Sequence, residues 1–200
     1  MIPRHCPIKL PGIPPVKAGV PPFWQQEISS VLADEDAIRQ RVAEIGERIE
    51  SDFLGKELVV VALLTGTVPF LADLIRNIAI PMRLDFIGVS SYGDGTTSGE
   101  LSYTKDLKLD VRNHHVLLVD DILDTGNTLD SVIKKITELS PASLDVCVLL
   151  NKQAHREKDV EAQYVGFEIP DEFVVGYGLD YAEQYRNLPF VGVLKPEIYQ

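Results

Sequence analysis

Three carboxylates and a polar turn crowd into residues 116–128, VLLVDDILDTGNT. Asp120 and Asp121 are adjacent, and Asp124 follows just ahead of Thr125-Gly126-Asn127-Thr128. Ionised carboxylates are pure hydrogen-bond acceptors, so an adjacent pair suits the hydroxyls of a sugar, and Asp124 can take a proton. The turn offers a different chemistry. Backbone N–H groups in the first turn of a helix have no internal partner and sit at the positive end of its dipole. A strand, a donor-rich turn and a helix start therefore make a phosphate site. Gly126 lets the backbone approach such an anion closely.

These residues need a frame. Val116, Leu117, Leu118 and Val119 form an apolar run that suits a strand buried on both faces. Leu129, Val132, Ile133 and Ile136 recur at helical spacing, predicting a helix over 129–139. Upstream, Ile38, Val42, Ile45, Ile49 and Phe53 mark a helix over 35–53, and residues 58–64 read as a central strand. Thr65-Gly66-Thr67 breaks that strand, and Pro69 sits where a first helical turn tolerates it, so 68–78 reads as a helix. Further strands are expected over 82–89, 145–150, 173–177 and 190–194, and 90–105 reads as one long polar loop of the kind that covers sites.

Alternating strands and helices imply an α/β fold with a mostly parallel sheet and helices on both faces. Ligands in such sheets bind beyond the carboxyl ends of the strands. Thr65-Gly66, Asp120-Asp121 and Lys152 all fall at such ends, whereas His114 and His115 fall at the opposite end and receive no catalytic role.

The chain has 200 residues, enough for one domain with a substantial core. A net charge of −11 argues against nucleic acid as a partner, though not against a phosphorylated substrate, because local dipoles and Mg²⁺ can supply positive field. Cys6 and Cys147 give no disulfide framework, and Cys147 sits in an apolar run as a core residue. Prolines at 3, 7, 11, 14, 15, 21 and 22 are more than half of the thirteen and preclude a continuous helical leader. Residues 1–34 are read as a proline-rich arm, extended and irregular over 1–22, and 35–200 as the domain. No apolar stretch approaches the ~20 residues of a membrane span, so the expected setting is the cytoplasm, away from membranes.

A strand followed by an acid pair also occurs in phosphoacceptor receiver domains, where carboxylates hold a metal, and at plain solvated strand ends. The full run through Asp124-Thr125-Gly126 into an amphipathic helix resembles the phosphoribosyl pyrophosphate signature of the type I phosphoribosyltransferases. That resemblance implies their fold, with a small hood formed by the terminal segments. It implies ribose contacts, and a share in metal binding, for Asp120 and Asp121. It gives the 5′-phosphate to Thr125, Gly126, Asn127 and Thr128, and the catalytic base at purine N7 to Asp124.

Other segments resemble the 6-oxopurine branch, the hypoxanthine-guanine phosphoribosyltransferases. Residues 64–67 match its pyrophosphate loop, which often carries a non-proline cis peptide, so Thr65 and Gly66 would contact the leaving group. Ser91 and Tyr92 match its mobile lid over pyrophosphate. Lys152 would donate to the purine O6. Within 165–181, VGFEIPDEFVVGYGLDY, Phe173 would stack on the purine and the Val174 backbone would face its 2-amino edge. Asp180 would help hold Mg²⁺, the implied cofactor, and Arg186 would contact pyrophosphate. The implied partners are phosphoribosyl pyrophosphate, a 6-oxopurine and further copies of the chain in a homodimer or homotetramer.

Three positions depart from the pattern. Thr65 stands where relatives often carry Lys or Arg, Asp120 where many have Glu, and Asn127 where some have Lys. Two rivals remain at this level: a transferase for another acceptor (xanthine, adenine or orotate), and a non-catalytic regulator on the same fold that senses phosphoribosyl pyrophosphate or nucleotides. The absence of a basic cluster speaks against the second.

Overall fold

The computed structural model describes residues 8–9, 19–91 and 101–200. Its centre is the run Leu58–Leu64 (β3), whose first six residues are buried. This strand pairs in parallel with Met82–Ser91 (β4) on one side and His115–Leu123 (β6) on the other. Beyond β6 lie Ser143–Lys152 (β7), Tyr164–Ile169 (β8) and the two-residue strand Ile8–Lys9 (β1), all parallel. Leu101–Lys105 (β5) closes the other edge, antiparallel to β4. The seven-stranded order is β1-β8-β7-β6-β3-β4-β5.

Strand alternation divides the core. Val60 and Ala62 of β3, with Leu117 and Val119 of β6, pack among Ile38, Val42, Ile45, Ile49 and Phe53 of the helix Glu35–Phe53 (α1) and residues of Val68–Arg76 (α2). Val59, Val61 and Leu118 face the other way, toward Leu129, Val132 and Ile136 of Asn127–Glu138 (α3). Each of these side chains larger than Ala62 contributes about 1.5–3 kcal/mol of burial free energy. Asp34 caps α1 by accepting from the Ala37 N–H at 2.8 Å.

The implied hood is present as a second sheet of three antiparallel strands, Ile28–Ala33 (β2), Val191–Leu194 (β10) and Val174–Val175 (β9). A short C-terminal helix, Pro196–Tyr199 (α4), follows β10. Strand β2 stands on the arm side of the expected boundary at residue 34, yet it pairs with β10 and buries Ile28 completely.

Several expectations are corrected. Residues 90–105 are not one loop, because β4 runs on to Ser91, which pairs with Leu101 of β5. Polar side chains suit an edge hairpin, so they masked strand character there. Tyr92 lies outside the described residues. The strand expected over 173–177 is only Val174–Val175, since Gly176 and Gly178 turn the chain at φ +97° and +103°. Strand β8 was not expected.

The base of the β4–β5 hairpin is tied by Asp85. Burial pushes its carboxyl up, but donation by the Leu109 N–H, the Lys105 ammonium and the N–H groups of Phe86 and Lys108 outweighs this and brings its pKa down to about 2. Cys147 is fully buried, as its apolar run predicts. Among the described residues no helix is long and apolar enough to cross a membrane.

Candidate active site

The carboxyl ends of β3 and β6 open into a cleft of about 560 Å³, lined by residues 63–67, 120–126, Thr128, Asp180, Glu183 and Arg186 among others. Its floor begins at the turn after β3. The Leu64–Thr65 peptide is cis, as the loop resemblance implies. The Thr65 carbonyl accepts from the Val68 N–H at 3.2 Å, and α2 starts there with Pro69 in its first turn. Gly66 is packed so tightly that a Cβ would lie 1.9 Å from Asp121 Oδ2. Gly178 presses on the same loop, since its own Cβ would lie 1.9 Å from the Gly66 carbonyl oxygen.

Asp120 and Asp121 leave β6 beside this loop. Thr67 Oγ1 donates to Asp120 Oδ1 at 3.0 Å, and the Asp121 N–H donates to the same oxygen at 3.0 Å. Burial, then the neighbouring Asp121 charge, raises the Asp120 carboxyl well above its usual range. Burial also raises Asp121, against its hydrogen bonds and the positive charge of Arg186. The pair thus favours a cation or hydroxyl donors close by.

Arg186 forms the far wall. Its guanidinium donates to the Gly178 carbonyl at 2.9 Å and pairs with Asp180 Oδ1 at 2.9 Å and Glu183 Oε2 at 3.2 Å. The other Asp180 oxygen accepts from the Glu183 N–H at 3.0 Å. Both Asp180 oxygens are therefore engaged within the protein.

The phosphate turn is held from behind. Gly126 adopts φ +86°, a left-handed conformation that glycine tolerates, and serves as the N-cap of α3. The Thr125 carbonyl accepts from the Glu157 N–H at 2.9 Å and the Lys158 N–H at 3.1 Å. Asn127 Nδ2 donates to Glu157 Oε2 at 2.7 Å. Thr125, Gly126 and Thr128 line the cleft, whereas the Asn127 side chain is engaged with Glu157.

Asp124 and Lys152 meet at the open end. Lys152 Nζ lies 3.7 Å from Asp124 Oδ2 and 2.8 Å from Asp171 Oδ1, and it donates to the Glu172 carbonyl at 3.4 Å. Among the described residues Asp124 Oδ1 is buried without a hydrogen-bond partner. A buried acceptor of this kind is costly unless something donates to it. Phe173 follows Glu172 and keeps 37 % of its surface exposed. One ring contact is a stack on Tyr199 at 4.6 Å between centroids, and another is an edge contact with Tyr181 at 5.7 Å. Val174 is buried in β9. Lys152, Phe173 and Val174 do not line the main cleft but lie beyond its Asp124 end. The Ser91 backbone ends β4, and its side chain and Tyr92 are outside what is described.

Thr67 falls within the 64–67 loop match, but Arg156, Asp171, Glu183 and Tyr199 escaped the sequence reading; they touch site residues from polar or terminal stretches, which carry no periodic signal. Among the described residues no three His, Cys, Asp or Glu side chains form a metal cage by themselves.

The phosphoribosyl transferase domain family matches residues 29–182. The hypoxanthine-guanine phosphoribosyltransferase of Staphylococcus aureus is 47% identical over 174 residues, covering 86% of this chain and 97% of that protein. A crystal structure of a hypoxanthine phosphoribosyltransferase from S. aureus superposes with a TM-score of 0.85 at 45% identity, covering 89% of this chain and 97% of that one. The bifunctional protein TilS/HprT of Listeria monocytogenes is 45% identical over 174 residues, and the chain spans 27% of its length. The chain belongs to the phosphoribosyltransferase family, in its hypoxanthine-guanine branch.

Proposed function

We propose that the protein joins hypoxanthine or guanine to phosphoribosyl pyrophosphate, giving the nucleotide and pyrophosphate. The observation that carries this reading is the meeting of Lys152 and Asp124 at the end of the cleft, 3.7 Å apart, with Asp124 Oδ1 buried and without a partner among the described residues. A 6-oxopurine presents N7 and O6 side by side along one edge. An ammonium suits O6, and a carboxylate suits a proton carried on N7. The exocyclic amino group of adenine would set donor against donor.

The sugar phosphate then follows the cleft. Its 5′-phosphate sits on Thr125, Gly126, Asn127 and Thr128, and its ribose hydroxyls on Asp120 and Asp121. Pyrophosphate reaches Thr65, Gly66 and Arg186. Thr65 brings no cation, so its contribution is through the backbone. Phe173 stacks on the purine, and Val174 faces the 2-amino edge.

In the reaction the purine N9 lone pair forms the bond to ribose C1 as the bond from C1 to pyrophosphate breaks. The proton on N7 passes to Asp124. Such assistance is worth about 10²–10⁴-fold. Mg²⁺ typically uses one or two carboxylates together with substrate phosphates, so the absence of a protein-only cage among the described residues is no obstacle. The raised Asp120–Asp121 pair fits it, with Asp180 assisting from beside Arg186. When bound, the ion supplies positive charge to the departing pyrophosphate.

With this function we propose a cytoplasmic setting and a homodimer or homotetramer. The test is direct. Purified protein given phosphoribosyl pyrophosphate, Mg²⁺ and hypoxanthine should release nucleotide and pyrophosphate in equal amounts. Binding of phosphoribosyl pyrophosphate with no nucleotide formed would contradict the proposal.

A further inference from the structure

Arg156 lies four residues beyond Lys152, in a polar segment outside the cleft lining. Its guanidinium nonetheless reaches both halves of the base-reading end. Nε donates to the Asp124 carbonyl at 2.9 Å, and Nη2 lies 3.4 Å from the Leu123 carbonyl. Nη2 also donates to Asn151 Oδ1 at 2.6 Å and lies 3.3 Å from the Lys152 carbonyl. Nη1 donates to the Val160 carbonyl at 2.8 Å. One rigid, planar fork thus ties the end of β6 to the end of β7, a bridge that a flexible ammonium cannot reproduce. Asn151 is itself fixed, because its Nδ2 donates to Glu168 Oε1 at 2.8 Å.

We infer that Arg156 is a positioning residue that sets the spacing between Asp124 and Lys152, and so the register of the purine edge. This rests on the function proposed above. Among the described residues the guanidinium's hydrogen bonds go to backbone carbonyls and to Asn151, and Arg156 is not part of the cleft lining. The phosphate turn has its own hydrogen-bonded anchor, the backbone donors of Glu157 and Lys158 on the Thr125 carbonyl, and the Arg156 side chain reaches it only through its Cδ beside Gly126. Loss of the Arg156 side chain leaves those two bonds in place. The base end should therefore lose its geometry while the phosphate end keeps it.

The experiment compares parent, Arg156→Met and Arg156→Lys in the full chain, at a temperature well below each variant's Tm. Arg156→Met should lower kcat/KM for hypoxanthine by about tenfold to 100-fold, since a misplacement of ~1 Å costs up to that much. Arg156→Lys should fall almost as far, and KM for phosphoribosyl pyrophosphate should stay within about twofold, as the separate anchoring of Thr125 requires. A lower Tm with kcat and both KM values unchanged would overturn the inference, as would equal weakening toward both substrates. If neither variant folds, Arg156 is a folding residue and the inference falls. An inactive parent would instead count against the proposed function.

Discussion

Gly66 leaves no room for a side chain beside Asp121, because a Cβ there would stand 1.9 Å from Asp121 Oδ2. The loop after β3 and the acid pair after β6 are therefore one fitted unit. Gly66→Ala must displace the loop or swing the carboxylate. The prediction is a stability loss of about 1–3 kcal/mol, the usual cost of overpacking. Weaker binding of phosphoribosyl pyrophosphate should accompany it. Thermal unfolding and titration calorimetry with Mg²⁺ present check both, and a variant matching the parent in each would show that the fit is slack.

The acid pair also predicts a pH dependence. Burial and the Asp121 charge raise the Asp120 carboxyl above the ordinary 3.8, so the folded protein holds that proton more tightly than the unfolded chain. The resulting stability is fully present below the ordinary value and is lost as pH rises through the raised one. Asp120→Asn, which cannot ionise, should raise the Tm of the ligand-free protein at pH 7. The gain should shrink toward pH 4, and binding of phosphoribosyl pyrophosphate should weaken. A lower Tm at pH 7 would mean the ionised pair is stabilising in the fold.

Asp124→Asn keeps the shape of the side chain but cannot accept a proton as a base. The prediction is a fall in kcat of about 10²–10⁴-fold. The affinity for phosphoribosyl pyrophosphate should change little, since the Thr125 carbonyl anchors the phosphate turn independently. Steady-state kinetics alongside direct binding separate the two, and a kcat equal to the parent's would remove Asp124 from proton transfer.

Phe173 has Tyr199 stacked on its ring at 4.6 Å and Tyr181 at its edge, so aromatic neighbours hold it in place. Phe173→Leu should cost purine binding about 1–3 kcal/mol, the range for a lost base–aromatic stack. It should leave phosphoribosyl pyrophosphate affinity unchanged. KM values for both substrates decide it, and an unchanged purine KM would place the base elsewhere.

The sequence was most informative where chemistry and pattern coincide. The strand–acid–turn–helix order over 116–128 is local, and the apolar runs around it announce their own burial. That is why β3, β6, α1 and α3 were legible. The edge hairpin was not, because Ser91 and Leu101 of β4 and β5 sit among polar residues that a loop would also carry. Strand β2 was hidden by Ser29 and Ser30, whose places in the hood depend on β10, some 160 residues away. Arg156 illustrates the deeper limit. It is one charged residue in a charged stretch, and only the folded chain brings the carbonyls of Leu123, Asp124 and Val160 around it.

The most direct test of the account is base selectivity. Purified protein with phosphoribosyl pyrophosphate and Mg²⁺ is offered hypoxanthine, guanine, xanthine and adenine in turn, and nucleotide formation is measured. If Lys152 and Asp124 read the N7/O6 edge, hypoxanthine and guanine are converted and adenine is rejected, by about 10⁴-fold or more as expected for a mismatched buried donor. Comparable turnover of adenine, or no turnover of any base, would contradict it.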